Sequence, residues 1–157
     1  IPSLFKAEKV NYQTPELSTT VLEDAFDQIE LLGFPLCSPF FLLLIPGGNT
    51  LRARQLMAYI SKTITIEGYL VTTKRTNTSG GKGMFFGNFL DRDGDFIDTV
   101  HFPPVARRYP FRGKGIYRIT GVVMEEFGCV SVEVSRMERL PIIADPRYAD
   151  SKKGLRI

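Results

Sequence analysis

The spacing of hydrophobic positions changes once along the chain, near residue 63. Before that point apolar side chains recur at intervals typical of helices, and after it they alternate with polar ones, as they do in strands. The change predicts three parts: an irregular lead-in with short helices over residues 1–61, a β-rich domain over residues 62–140, and a C-terminal tail over residues 141–157.

The first part contains one clear helix signal. Residues 1–17 include two prolines and show no regular period, which indicates an irregular lead-in. Thr20 is followed three residues later by Glu23, the pattern of a capping box at a helix start. Gly33 and Pro35 then supply the helix end.

Two further short helices follow in the pattern. Ser38 and Pro39 open the second, with serine as the cap and proline at the first helical position. Its body, residues 40–45, is apolar on all sides, so it requires a covering neighbour or forms a sticky surface. Residues 51–60 are compatible with another turn or two of helix.

The second part contains five runs with strand periodicity, at residues 63–76, 84–90, 96–102, 115–126 and 130–140. Gly68 and Gly121 within the long first and fourth strands indicate bends. A connector over residues 105–112, with room for one helical turn, separates strands three and four. We therefore predict a mainly β fold with N-terminal helices, whose domain is a five-stranded Greek-key OB-fold barrel, with an SH3-like barrel as the rival.

The positive charge is concentrated in the middle of the chain. The protein has 157 residues and a net charge of +3, and its 43% hydrophobic and 24% charged content is that of an ordinary soluble domain. Residues 62–118 contain ten Lys or Arg against five Asp or Glu, whereas residues 1–61 contain four against six. A localised basic region suggests a polyanionic partner, and a well-solvated surface is the simpler alternative.

Metal, cofactor and membrane signals are weak. One histidine and two separated cysteines, Cys37 and Cys129, do not make a zinc site, and two buried reduced thiols are favoured over a disulfide. The carboxylates between Asp91 and Asp98 fail the EF-hand spacing and fit a hairpin turn. We expect no cofactor, no metal, no catalytic site and no membrane span, since the longest apolar run is too short. Of the functions considered for this chain, a metal-dependent nuclease that uses these carboxylates is the least favoured.

Two basic segments are candidate phosphate contacts. Lys74, Arg75, Thr76 and Lys82 belong to a Gly-, Ser- and Thr-rich segment between the first two strands. Such a segment either contacts a phosphate backbone or is polar simply because it is exposed. Arg107 and Arg108 begin a second cluster in the connector, and these arginines either follow the backbone or pair with nearby carboxylates.

The second strand carries aromatic rings on both of its faces. Alternation places Phe86 on one face and Phe85 and Phe89 on the other. We predict that Phe86 points inward with Met84, so that Phe85 or Phe89 is the exposed ring available for base stacking.

Several motifs resemble one protein family. The segment ELLGFPLCSPF at residues 30–40 resembles the ELLGFPL-x-SPF segment of the bacterial DNA polymerase III alpha subunit, which follows its helix-hairpin-helix region. Segments EGYLV at 67–71, MFF at 84–86, DRDG at 91–94 and YRITGVV at 117–123 resemble the OB-fold of the same polypeptide. The resemblance covers roughly residues 20–140.

The resemblance implies a cytoplasmic replication protein fragment that contacts the single-stranded template, with the polymerase active site outside this chain. It implies that Lys74, Arg75 and Lys82 lie in the template-contacting loop. We therefore expect single-stranded DNA binding without strong sequence preference. The alternative is a protein interaction module that docks other polymerase III subunits through the barrel and the apolar segment at 40–45.

Overall fold

The computed structural model describes residues 13, 18–45, 48 and 51–148. Two α-helices, five strands and three 3-10 helices form in this part of the chain. In chain order they are α1 Val21–Leu32, a 3-10 helix Pro39–Leu42, a second 3-10 helix Ala53–Tyr59, β1 Thr63–Asn77, β2 Gly83–Leu90, β3 Phe96–His101, α2 Pro103–Arg108, β4 Ile116–Glu126, β5 Cys129–Arg139 and a third 3-10 helix Pro146–Tyr148.

The strands close into a barrel in the order β1-β2-β3-β5-β4, with β4 returning to β1. All neighbours are antiparallel except β3 and β5, which run parallel where Thr99 faces Val132 and Val100 faces Glu133. The long first strand contributes to both sides of the barrel, since its first half pairs with β4 and its second half with β2. This is a closed five-stranded mixed barrel with the OB-fold order, as predicted.

Two glycines allow the backbone to pack closely inside this small barrel. A Cβ atom at Gly121 would lie 2.2 Å from the carbonyl oxygen of Glu133, and the β4–β5 register shifts at the same point. A Cβ at Gly68 would lie 2.7 Å from the Cβ of Phe89. The bend predicted at Gly68 lies instead just beyond it, where the β1–β2 register shifts between Leu70 and Thr72.

Besides the core inside the barrel, a smaller apolar cluster lies on the outside of the barrel. Phe40 and Leu43 from the N-terminal segment pack against Tyr69 and Ile116. Leu43 also forms a bridge with Ile142, so residues that the sequence assigns to the C-terminal tail pair with the N-terminal segment. This covering explains why β1 is buried on both faces over residues 67–70 instead of alternating.

The N-terminal segment also covers a buried ion network. Glu67 is fully buried on the outer face of β1, and its two carboxylate oxygens each accept a hydrogen bond at 3.0 Å, from Arg92 and from Arg118. The carboxylate of Glu67 raises the pKa of Arg118. The guanidinium of Arg92 stacks 4.6 Å over the ring of Phe40. Because a buried carboxylate without partners is strongly destabilising, the two arginines stabilise Glu67 within the barrel, and the N-terminal segment contacts this network through Phe40.

The predicted helix signals have mixed outcomes. The capping box of Thr20 and Glu23 is present, and Gly33 ends α1 with φ +82°. The helix predicted at Ser38 is only a four-residue 3-10 turn, and the serine side chain caps nothing in it. The lead-in predicted for residues 1–17 lies, apart from residue 13, outside the described residues, as does the tail beyond residue 148.

The cysteines are free thiols, as predicted, but they are not both buried. Cys37 is half-buried and Cys129 is exposed. Cys129 is exposed because it directly follows the turn between β4 and β5, which extends beyond the barrel core.

The side chain of His101 is completely buried, and its imidazole is uncharged at neutral pH. The hydroxyl of Thr99 donates to the carbonyl oxygen of Gly87 at 2.9 Å. The Thr99 hydroxyl has only this one proton to donate. In its 2.9 Å contact with His101 the hydroxyl oxygen is therefore the acceptor, and Nε2 of the imidazole is the donor. Nδ1 is buried without a partner among the described residues, and the ring packs 4.7 Å from that of Phe111. Burial lowers the pKa of His101 from 6.5 to about 4.

We predict that His101 makes the stability of the fold depend on pH. Below pH 6.5 the unfolded chain binds a proton that the folded chain excludes, so the free energy of unfolding falls by about 3 kcal/mol as the pH drops from 6.5 to about 4. The measurement is urea unfolding of the parent and of His101→Leu across this range. The difference between the two curves isolates the histidine from the carboxylates, and parallel curves would contradict the prediction.

Candidate nucleic-acid interface

An open groove crosses the outer face of β2 and β3 and is bordered by the hairpin of β4 and β5. We call it the front groove. Its lining consists of Met84, Phe86, Gly87, Asn88, Asp98, Thr99, Val100, Phe102, Met124, Glu126, Phe127, Cys129, Val130, Ser131 and Glu133. This face of an OB-fold, together with the β1–β2 and β4–β5 loops, is where members of the fold place oligonucleotides.

The rings of β2 face opposite directions to those predicted. Phe86 is 41% exposed in the front groove, whereas Phe89 is 0% exposed and packs against Tyr117 in the core. Phe85 is half-buried against Phe111, with ring centroids 5.9 Å apart. The predicted alternation is correct, but the inward and outward faces are exchanged, because the barrel interior requires the row that contains Gly87 and Phe89 to face inward. The prediction that Phe89 is an exposed ring available for stacking is therefore wrong.

Phe127 is an aromatic side chain that the sequence analysis missed. It is 102% exposed at the tip of the β4–β5 hairpin, and it has φ +53° followed by Gly128 at φ +79°. Two successive positive φ angles are those of a type I′ turn, whose first position favours Asn, Asp or Gly. A bulky ring there costs free energy, and such strain points to a function of the side chain. The sequence signal was a Phe-Gly pair where a hairpin favours Asn-Gly.

Lys74 lies beside the exposed ring of Phe86. The two residues are direct partners in the β1–β2 register, so their side chains share one face of the sheet. Val100 follows Phe86 in the same row on β3. Arg75 is exposed but points to the opposite face, opposite Phe85, and Thr76 is half-buried opposite Met84.

Lys82 is held in a short hydrogen-bonded loop. The loop between β1 and β2 consists only of residues 78–82, because Lys74, Arg75 and Thr76 belong to β1. The amide of Thr78 donates to the carbonyl oxygen of Lys82 at 2.8 Å, and the amide of Lys82 donates to the Thr78 hydroxyl at 3.2 Å. The lysine side chain is exposed at the end of this hairpin.

The barrel topology gathers cations at one end. The β1–β2 loop, α2 and the connector from α2 to β4 meet there, and β5 ends there. We call this the basic end; its cations are Lys74, Arg75, Lys82, Arg107, Arg108, Arg112, Lys114 and Arg139. All are exposed, and none forms an ion pair with a carboxylate of the described residues.

The two arginines of α2 lie away from the centre of the groove. Arg107 and Arg108 occupy the last turn of α2, and Arg108 stacks 5.5 Å over the ring of Tyr109. They do not pair with Asp98, whose carboxylate accepts from the amide of Asn88. Phe102 lines the groove and directly precedes α2, whereas the two arginines lie in the last turn of α2 and are not part of the groove lining.

The aspartates after β2 organise a turn. One oxygen of the buried Asp91 accepts from the amides of Asp93 and Asp95, and the other accepts from the amide of Ala53. Asp93 pairs with Arg52 at 3.2 Å and with Arg54. Within the described ranges no group of three or more His, Cys, Asp or Glu side chains is placed to hold a metal ion.

Comparisons with known proteins give only distant likenesses. No family model matches the chain, and no curated protein does. Among solved structures, the chain is similar to the single-stranded DNA binding protein from Thermus aquaticus, at 15% identity and TM-score 0.44, over 52% of this chain and 41% of that one.

Two other structures have a similar degree of likeness. Asparaginyl-tRNA synthetase from Pyrococcus horikoshii matches at 15% identity and TM-score 0.46, over 61% of this chain and 23% of that one. The second OB-fold domain of replication protein A from Methanococcus maripaludis matches at 15% identity and TM-score 0.37, over 55% and 89%. The chain thus spans less than half the length of the first two. At these scores the fold assignment rests on the strand order of the barrel itself.

No helix within the described residues is long and apolar enough to cross a membrane.

We predict that Phe127→Asn stabilises the fold. Asparagine tolerates the left-handed backbone of the turn, so the free energy of unfolding should rise by about 1 kcal/mol. Phe127→Ala is the matched control, because it removes the ring and keeps the unfavourable φ. Denaturant unfolding of the three proteins checks this, and an Asn variant no more stable than the Ala variant would contradict it.

Proposed function

We propose that this chain binds single-stranded nucleic acid in the front groove, with single-stranded DNA as the expected ligand. The observation that carries the proposal is the cross-strand row in which the exposed cation of Lys74 lies beside the exposed ring of Phe86. A single strand has charged phosphates and flat unpaired bases, and this row offers a partner to each.

The groove supplies surfaces for bases. Phe86 lies on its floor and Phe127 on its border, and Val100 and Met124 provide further apolar contact. Each stacked base contributes about 1–3 kcal/mol in single-strand binding proteins, so two exposed rings are sufficient for measurable affinity.

The basic end supplies contacts for phosphates. Lys74 and Lys82 lie on the hairpin that borders the groove, and Arg107 and Arg108 lie in the last turn of α2 at the same end of the barrel. None of the four forms an ion pair with a carboxylate of the described residues, which leaves them available to displace counterions from a phosphate backbone. We propose Lys74, Lys82, Arg107 and Arg108 as phosphate contacts. Arg75 and Thr76 are weaker candidates, because Arg75 points to the opposite face of the sheet and Thr76 is half-buried.

We predict that Lys74→Gln combined with Lys82→Gln flattens the salt dependence of binding. Loss of two phosphate contacts should reduce the slope of log K against log salt by about 1.4. Fluorescence anisotropy with a labelled oligonucleotide at several salt concentrations measures this. Lys62→Gln is the control, since Lys62 stacks on Tyr59 and is not part of the groove lining. Equal slopes for the parent and the double variant would remove these lysines from the site.

We predict that Phe86→Leu lowers the affinity for single-stranded DNA about tenfold, as expected for loss of one stacked base. Leucine keeps apolar contact with the strand, so the fold should be retained. Phe41→Leu is the matched control, because Phe41 is an exposed ring outside the groove. The same anisotropy titration measures the affinities of the parent and of both variants. An unchanged affinity for Phe86→Leu would argue against base stacking on Phe86.

A finer proposal follows from the sequence resemblance. We infer that the chain is part of a cytoplasmic DNA polymerase III alpha subunit, in which this module would hold the template and other replication subunits would be partners. Contacts between the two resembling regions support treating them as one unit. The ring of Phe40 stacks on Arg92, and the hydroxyl of Tyr69 donates to the carbonyl oxygen of Gly33 at 3.4 Å.

A protein interaction module is the second candidate. Its support is a set of exposed apolar side chains on the N-terminal segment: Leu31, Leu36, Phe41, Leu44 and Ile45. A surface of this kind is unusual for an isolated soluble domain. The anisotropy titration separates the two candidates, because absence of oligonucleotide binding at low salt favours docking and steeply salt-dependent binding favours the nucleic-acid function.

A further inference from the structure

The floor of the front groove carries a polar pair next to the exposed ring of Phe86. Asn88 on β2 and Asp98 on β3 are direct partners in the register. They lie two residues along each strand from Phe86 and Val100, so the two pairs are neighbours on the same face of the sheet. The amide nitrogen of Asn88 donates to Oδ1 of Asp98. Phe127 lines the same part of the groove from the β4–β5 hairpin.

This pair leaves mainly acceptors facing the groove. A carboxylate only accepts hydrogen bonds, so the amide of Asn88 must turn its nitrogen toward Asp98 and its own oxygen away. Oδ2 of Asp98, Oδ1 of Asn88 and the carboxylate of Glu126 remain as acceptors along this part of the groove. Among the described residues no lysine or arginine lines it, and the second N–H of Asn88 and the hydroxyl of Ser131 are among the few side-chain donors there.

Acceptors of this kind distinguish the bases. Cytosine and adenine carry an exocyclic amino group, at N4 and N6, that donates hydrogen bonds, whereas thymine and uracil present the O4 carbonyl oxygen, and guanine its O6, at the corresponding position. A thymine stacked on Phe86 would place its O4 oxygen near carboxylate oxygens, and a cytosine would place its N4 amino group there.

We propose that the Asn88–Asp98 pair makes the front groove selective for bases that carry an amino group at this position, so that cytosine binds more tightly than thymine or uracil. The proposal rests on the proposed single-strand binding function and adds to it a base preference. It also assigns the acidic side of the groove a role, since these carboxylates would otherwise only repel phosphates.

The test compares pyrimidines, which stack alike and differ mainly in this edge. Labelled oligo-dC, oligo-dU and oligo-dT of about twelve nucleotides, a length within the range that one OB-fold covers, are titrated by anisotropy at fixed low salt. We expect oligo-dC to bind about tenfold more tightly than oligo-dU, as for one good base contact. Oligo-dU separates the amino group from the methyl group of thymine.

Asp98→Asn is the decisive variant, because it keeps the shape of the side chain and replaces acceptors with a donor. We expect the ratio of dC to dU affinity to fall toward one. Glu133→Gln is the control, since it removes the same charge from another part of the groove. It should raise both affinities together and leave their ratio unchanged. Unfolding curves verify that both variants are folded.

The outcomes separate this inference from the function on which it rests. Equal binding of dC and dU by the parent, or a ratio that Asp98→Asn leaves unchanged, would overturn the base preference while single-strand binding stood. Failure of all three oligonucleotides to bind at low salt would overturn both.

Discussion

Closure of the sheet between β3 and β5 is the constraint on which the rest of the structure depends. The interior of a five-stranded barrel is filled by side chains, so one face of every strand is committed to the core. On β2 that face includes Gly87 and Phe89, whose neighbours leave no space for additional atoms. The opposite face, with Phe86, is then the one that can meet a ligand.

The same topology sorts the charges. Residues 70–86 and 101–117 contain seven lysines and arginines and no Asp or Glu, and strand pairing brings both segments to one end of the barrel. The aspartates of the β2–β3 turn and the glutamates before Phe127 lie toward the other end. The positive charge is therefore concentrated at one end of the barrel, although the net charge is only +3. The groove itself is lined by Asp98, Glu126 and Glu133 and, among the described residues, by no lysine or arginine, so the cations lie beside the groove and not on its floor.

Strain and burial have different roles in this molecule. The unfavourable backbone at Phe127 serves no packing purpose, since its ring contacts solvent, and it is the kind of cost that functional sites retain. The buried network of Glu67 with Arg92 and Arg118 lies outside the groove and joins β1, β4 and the β2–β3 turn. The N-terminal segment is attached beside it, because Phe40 stacks on Arg92 and packs with Leu43 against Tyr69 of β1.

The amino-acid sequence by itself determined the number, order and approximate bounds of the strands, the capping box of α1, and the basic character of the middle segment, because these depend on local periodicity and composition. It did not determine which face of β2 is inside, since Phe86 and Phe89 are equally apolar and only closure of the barrel selects between them. Nor did it reveal Phe127 and the Asn88–Asp98 pair as parts of one groove, because they come from two strands and from a hairpin tip that is distant from them in sequence. Tertiary structure decided these points by pairing strands in one register, which assigns every side chain a face and a neighbour.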